Sequence, residues 1–273
     1  MMNKKIFNYK AFLKVIEENT GYDFSGYSLE SLNRKLENFI SSESIGSVEE
    51  LHDLVYSNKI SQEKILDSLL VNYTEMFRDP EFFVSLKANV LPYFSTLQKI
   101  NIWHAGCATG EEVYSLAILL DEFDLLDRCE IHATDINVVN LKNAIRGIFP
   151  LSHMRESASR YYRSGGTKNL SNYYTVFYDN VIFHKHLRER LRFVIHDLST
   201  EDSEDKFHLI LCRNVFIYFN YSLQRNVLVK LISNIHNDGF LGMGLCEHFV
   251  DVSNPNLSMI DLDNKLFRKT IKV

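Results

Sequence analysis

Residues 102–120 read IWHAGCATGEEVYSLAILL, and this stretch decides the fold. A short apolar run ends at His104, small residues follow from Ala105 through Gly110, and Glu111 opens an apolar helical pattern. Strand, small-residue turn and helix in that order make the first unit of an open α/β sheet, where small side chains let a ligand approach the backbone. A loop built for phosphate would aim a helix N-terminus at the anion and often add a lysine. Here Glu111 and Glu112 fill the first helical turn instead. Their charge repels a pyrophosphate and suits a cationic or hydroxyl-rich ligand, although paired acids at a helix start also serve as plain complements to the helix dipole.

The same alternation continues outward from this unit. KINIWHA (99–105), EEVYSLAILLDEF (111–123), CEIHATD (129–135) and NVVNLKNAIRGIF (137–149) read β-α-β-α. RLRFVIHDL (190–198), FHLILCRN (207–214), YSLQRNVLVKLISNIH (221–236) and GFLGMGLCE (239–247) extend it. The pattern predicts an α/β fold with a doubly wound, mostly parallel sheet. SNYYTVFYDNVIFHKHL (171–187) interrupts it with a strand-forming composition around Asp179 and Asn180, which predicts a small antiparallel β insertion at about 165–190. Residues 6–70 have apolar positions at helical spacing, among them Phe12, Ile16, Leu29, Leu32, Leu36 and Ile40, broken by polar joints such as SSESIGS. They predict a small all-helical N-terminal domain over 1–70, a linker over 71–79, and the α/β domain over 80–273, where Pro80 starts a helix through EFFVSLKANVLPYF.

Composition narrows the function classes. The 273 residues are 45% hydrophobic and 24% charged, which is globular, and the net charge of −5 gives no broad basic surface for nucleic acid. No apolar run approaches a membrane span, and Glu17 and Glu18 interrupt the start before a signal peptide could form. Cys107, Cys129, Cys212 and Cys246 are widely spaced without a CxxC pair, against a zinc site or a disulfide framework. A cytoplasmic protein is expected, with no metal, no nucleic acid partner and no membrane insertion.

Three further segments carry polar residues where ligands bind. Asp135 ends the second strand 24 residues past Glu111, near the ~20-residue spacing of ribose-binding acids, with an N-cap for the next helix as the other reading. Arg213 and Asn214 follow the strand FHLIL, as a ligand contact or as a salt bridge plus cap. VNYTEMFRD (71–79) places Asn72, Thr74 and Arg78 in a linker, from which Arg78 could reach over a ligand.

Together NYTEMFRD, AGCATGEEVYS, ATDI and CRNVFIYF resemble, in order, the motifs of the CheR family of chemotaxis receptor methyltransferases. The resemblance covers nearly the whole chain. It departs at Val113, where the family often has Pro, at Leu245 and Cys246, where His-Ser often precedes Glu247, and at Asp197, where Asn is usual. The resemblance implies an S-adenosylmethionine-dependent O-methyltransferase (product S-adenosylhomocysteine) that forms glutamate methyl esters on chemoreceptor cytoplasmic domains, working as a monomer. It implies that Asn72, Thr74, Arg78, Ala105, Glu111, Asp135, Asp197, Leu198, Arg213 and Asn214 surround the cofactor. Arg78 would orient the acceptor carboxylate and Tyr218 would lie near the transferring methyl, with a core aromatic as the other reading of Tyr218. Arg34 and Lys35 are candidate receptor contacts, or else a solvated helix face. Alternatives are a cofactor-binding regulatory module without turnover, and a methyltransferase acting on a different protein or a small molecule. A dinucleotide-dependent oxidoreductase should show G-x-G-x-x-G after its first strand, and AGCATGEE lacks it.

Overall fold

The computed structural model describes residues 9–57, 59–70, 73–247 and 256–270. The chain divides into two compact units, Met1–Val71 with Tyr218–Leu223, and Asn72–Ile217 with Gln224–Val273. No helix among the described residues is long and apolar enough to cross a membrane.

The smaller unit holds α1 (Tyr9–Thr20), α2 (Leu29–Ser42), α3 (Val48–Tyr56) and α4 (Gln62–Leu69). Serines start the last three. The side chains of Ser28, Ser47 and Ser61 each accept from the backbone N–H three residues on, satisfying donors that a helix N-terminus leaves unpaired. Phe12, Ile16, Leu32, Leu36 and Phe39 fill its core with Leu51, Val55 and Ile65. Leu29, expected in that stripe, is 44% exposed because it is the first residue of α2, and Phe39 takes the inward place at the helix end. Lys35 is no solvated charge. Its Nζ donates to the Leu69 carbonyl at 2.5 Å and lies 4.5 Å from the centre of the Tyr218 ring, and burial followed by the nearby Arg34 lowers its pKa to about 8.

The larger unit begins with α5 (Pro80–Asn89) and α6 (Leu91–Ser95), which sequence reading had as one helix. The break precedes Pro92, which has no N–H for the Ala88 carbonyl. Next come β1 (Ile100–Ala105), α7 (Glu111–Glu122), β2 (Cys129–Asp135) and α8 (Val138–Arg146). The insertion comprises β3 (Ile148–Pro150), α9 (Leu151–Arg163), β4 (Tyr174–Phe177), β5 (Asn180–Phe183) and α10 (Lys185–Arg188). After it run β6 (Leu191–Ile195), β7 (Phe207–Cys212), α11 (Tyr221–Asn234), β8 (Ile235–Met243), β9 (Leu257–Asp261) and β10 (Leu266–Lys269). The main sheet has the order β6-β2-β1-β7-β8-β10-β9, parallel from β6 to β8 and antiparallel at β10 and β9. The doubly wound, mostly parallel sheet of the sequence reading is therefore present.

Two differences from that reading are local. The insertion's sheet, ordered β3-β5-β4, starts earlier than residue 165, because Ile148–Pro150 pairs with β5. Its hairpin turns on Tyr178 and Asp179, with Tyr178 at φ 52°, while Asn180 already pairs with Phe177. The segment before Pro80 is also no loose connector. Met76 and Phe77 are 1% and 2% exposed and join the core of the larger unit, and the Phe77 N–H donates to Ser115 Oγ at 2.8 Å.

Candidate active site

Because β6, β2, β1 and β7 are neighbours and run parallel, their carboxyl ends form one row. That row presents Asp197, Asp135, Ala105, and then Arg213 with Asn214. Four sequence-predicted segments thus meet at one rim, the edge where open α/β sheets bind ligands.

The loop after β1 is shaped by backbone that favours glycine. Gly106 and Gly110 have φ of 79° and 94°, and Ala108 has 46°. A side chain at Gly106 would also put its Cβ 2.5 Å from Val215 Cγ2, so position 106 requires glycine twice over. Asp135 braces this loop. Its Oδ2 accepts from the Ala108 N–H and its Oδ1 from the Asn137 N–H, both at 2.8 Å. Asn137, and not Asp135, caps α8, accepting from Val139 and Asn140. Burial raises the Asp135 pKa, with the Asn137 and Ala108 amides pulling it back.

Glu111 lies at the start of α7, where Thr109 Oγ1 donates to its Oε2 at 2.6 Å, and burial raises its pKa. Glu111 and Thr74 line one cavity of about 430 Å³, together with Thr109, Asn143, His153 and Arg160. Arg160 is held there between Glu75 and Glu156, at 2.6 Å from each.

Arg213 is the most enclosed of the predicted charged residues. Its side chain is 0% exposed, pairing with Asp79 at 2.7 Å and Glu112 at 2.5 Å, with its carbon centre 4.0 Å from the middle of the Phe82 ring. Its terminal nitrogens also donate to the Arg78 carbonyl at 3.4 and 3.3 Å. Burial raises the Glu112 pKa, opposed by Arg213 and then Arg78, so the Arg78 charge also acts on this corner. His104 Nδ1 is 3.7 Å from Glu112, and burial, then Arg213, lowers the imidazole to about 3. It is neutral at physiological pH. The sequence does not single out Asp79, and it offers Glu112 only together with Glu111, as acids suited to a cationic ligand or to the helix dipole, since spacing carries no mark of which acid will meet a buried arginine.

Asn214 sits at φ 60° in the turn after β7, held by Glu247. Glu247 Oε1 accepts from the Val215 and Phe216 amides at 2.8 Å each, and Oε2 from the Gly244 amide. A side chain at Gly244 would come within 2.7 Å of the Asn214 backbone nitrogen, so the two turns interlock. Burial raises the Glu247 pKa to about 7, against the pull of those amides. A carboxylate raised in the folded state favours folding below its unfolded value and loses that contribution as pH rises through about 7. Glu247→Gln removes this titration but turns an NH₂ toward an amide donor. We expect it to cost about 1–3 kcal/mol. The gap in urea midpoint between wild type and variant should be widest at acid pH and narrow as pH rises through about 7; a gap that widens with pH contradicts this.

The other predicted residues have separate surroundings. Asp197 accepts from Ser199 N at 2.8 Å, Ser199 Oγ at 2.6 Å and Thr200 Oγ1 at 2.9 Å, closing a turn, with Leu198 buried beside it. Tyr218 belongs to the helical unit, where its carbonyl accepts from Ser28 N at 2.8 Å. Asn72 lies outside the described residues.

Carboxylates, hydroxyls and an amide around a loop of small residues fit a cation bearing ribose hydroxyls, and among the described residues lining the cavity there is no lysine to meet a phosphate. Comparison with known sequences agrees. Residues 72–265 match the CheR methyltransferase SAM-binding domain, and residues 8–70 its all-alpha domain. The chain is 36% identical to Cher3 of Pseudomonas putida over 263 residues, 96% of each chain. It is 26% identical to the chemotaxis protein methyltransferase of Listeria innocua over 265 residues, 96% of this chain and 97% of that one. With the chemotaxis protein methyltransferase of Borreliella burgdorferi it shares 30% identity over 202 residues, 67% of each.

Proposed function

The chain belongs to the CheR methyltransferase family, and we propose that it is a cytoplasmic O-methyltransferase that esterifies glutamate side chains on the cytoplasmic domains of chemoreceptors. The observation that carries this reading is the row of adjacent strand ends, Asp197, Asp135, Ala105 and Arg213–Asn214, beside a loop whose first helical turn is acidic. S-adenosylmethionine, when bound, supplies a methyl group on a sulfonium for in-line displacement. Thr74, Glu111, Asp135 and Asn214 would hold it, with Asp135 and Glu111 suited to hydroxyl and ammonium groups. Asn72, Asp197 and Leu198 enter by the family resemblance.

A glutamate side chain, with a reference pKa of about 4.3, is already an anion at neutral pH, so the acceptor needs no general base. The neutral, buried state of His104 accords with that, since it would be a poor proton acceptor. What the protein must do is orient the acceptor and exclude water, because charge is lost as sulfonium and carboxylate meet. Arg78 carries the orienting role.

Incubating the protein and S-adenosylmethionine with a purified receptor cytoplasmic fragment, then mapping peptides by mass spectrometry, tests the reading. Added methyl groups on glutamates are expected. Methylation confined to other residue types, or none, would overturn it. Asp135→Ala should weaken S-adenosylhomocysteine binding by about tenfold or more, since the loop loses its brace as well as a ligand contact. Unchanged affinity by calorimetry would remove Asp135 from the site.

A further inference from the structure

We propose that Asp79, Arg213 and Glu112 form a clasp around a buried guanidinium that sets the backbone around Arg78 for methyl transfer, the three acting as positioning residues. The inference rests on the role given to Arg78 above. It starts from what Arg213 joins: the end of β7, the residue before α5 and the first turn of α7. Arg78 lies on the segment so tied, and its own carbonyl receives two of the Arg213 N–H groups, at 3.4 and 3.3 Å.

Three observations indicate that geometry, more than stability, is what this contact supplies. Phe77 and Asp79, on either side of Arg78, both lie in left-handed backbone, at φ 51° and 55°. A phenylalanine rarely takes that conformation unless its surroundings enforce it. Here they do, through the Phe77 N–H to Ser115 Oγ on one side and the Asp79 carboxylate to Arg213 on the other. Asp79 is also the N-cap of α5, yet its side chain makes no capping hydrogen bond, because it is turned to the guanidinium. Finally, the arginine is fully buried with Nε lacking a hydrogen-bond partner, and buried ion clusters generally give no more stability than apolar side chains of like size. What such a cluster does supply is a fixed direction: two carboxylates on two chain segments, read by one planar fork.

Asp79→Asn is the informative variant, since asparagine tolerates left-handed backbone and keeps one oxygen acceptor while losing the charge. Asp79→Ala loses both. Amide hydrogen exchange, with neither cofactor nor acceptor present, should run about tenfold faster across residues 76–79 in Asp79→Ala, with Asp79→Asn between it and wild type. In methyl-transfer assays both variants should lower kcat while leaving S-adenosylhomocysteine affinity within about threefold. Arg78→Ala/Asp79→Ala should be no slower than Arg78→Ala alone, the non-additivity expected of residues acting through one another. Unchanged exchange, or additive losses in the double variant, would overturn the clasp. If Arg78→Ala leaves turnover intact, the role given to Arg78 fails, and that failure is distinct because exchange reads the clasp without any reaction.

Discussion

Replacing Arg213 with leucine should lower the unfolding free energy by about 3–5 kcal/mol, the range found when one member of a buried ion pair is removed. The loss comes less from the attraction given up than from what stays behind. Glu112 has 11% of its side chain exposed, and without the guanidinium its charge sits in a poorly hydrated place beside a neutral His104. Burial already raises its pKa, and Arg213 is the first influence pulling it back. In the variant that pull is gone. The folded-state pKa rises further, so the deficit is largest at neutral pH and shrinks as acid protonates Glu112. Urea denaturation at pH 5 and pH 8 measures both parts. A second change, Glu112→Leu, should recover much of the stability, since apolar groups of like volume replace buried ions at little cost. A wild-type midpoint for Arg213→Leu at neutral pH would contradict this account of the corner.

Arg78→Ala should cut turnover by about 10- to 100-fold while changing S-adenosylhomocysteine affinity by less than about threefold. A charge-assisted hydrogen bond to a carboxylate contributes roughly 1.5–3 kcal/mol, and about 1.4 kcal/mol is a factor of ten in rate. In the proposed role Arg78 addresses the acceptor, and an acceptor misdirected by a small angle loses its line of attack. Equal losses in turnover and affinity, measured by steady-state kinetics and calorimetry, would assign Arg78 to cofactor binding alone.

Much of the fold was legible because hydrophobic period and turn chemistry agree over residues 99–149 and 190–247, where a buried parallel sheet leaves continuous apolar runs. The pair β9 and β10 was not read. SMID and LFRK are short and carry charges, and only the Asp263–Asn264 turn between them signals a hairpin. Ile148 and Phe149 of β3 were absorbed into the preceding helix, as three residues give no period of their own. For the candidate site, residue types at strand ends and at the start of α7 pointed to Asp135, Glu111, Arg213 and Asn214, and the sheet topology brings those positions to one rim. Their partners were not legible. Whether Asp79 caps α5 or meets Arg213, and that Glu247 gathers the amides of the turn after β7, depends on contacts between segments more than 30 residues apart in sequence.

The most direct test of the proposed reaction supplies S-adenosylmethionine labelled in its methyl group to receptor-containing membranes with the purified protein, then raises the pH. Carboxyl methyl esters hydrolyse in base and N-methyl groups do not. Label should enter receptor protein and leave as methanol on base treatment. Label that stays bound through base, or never reaches the receptor, would contradict glutamate esterification.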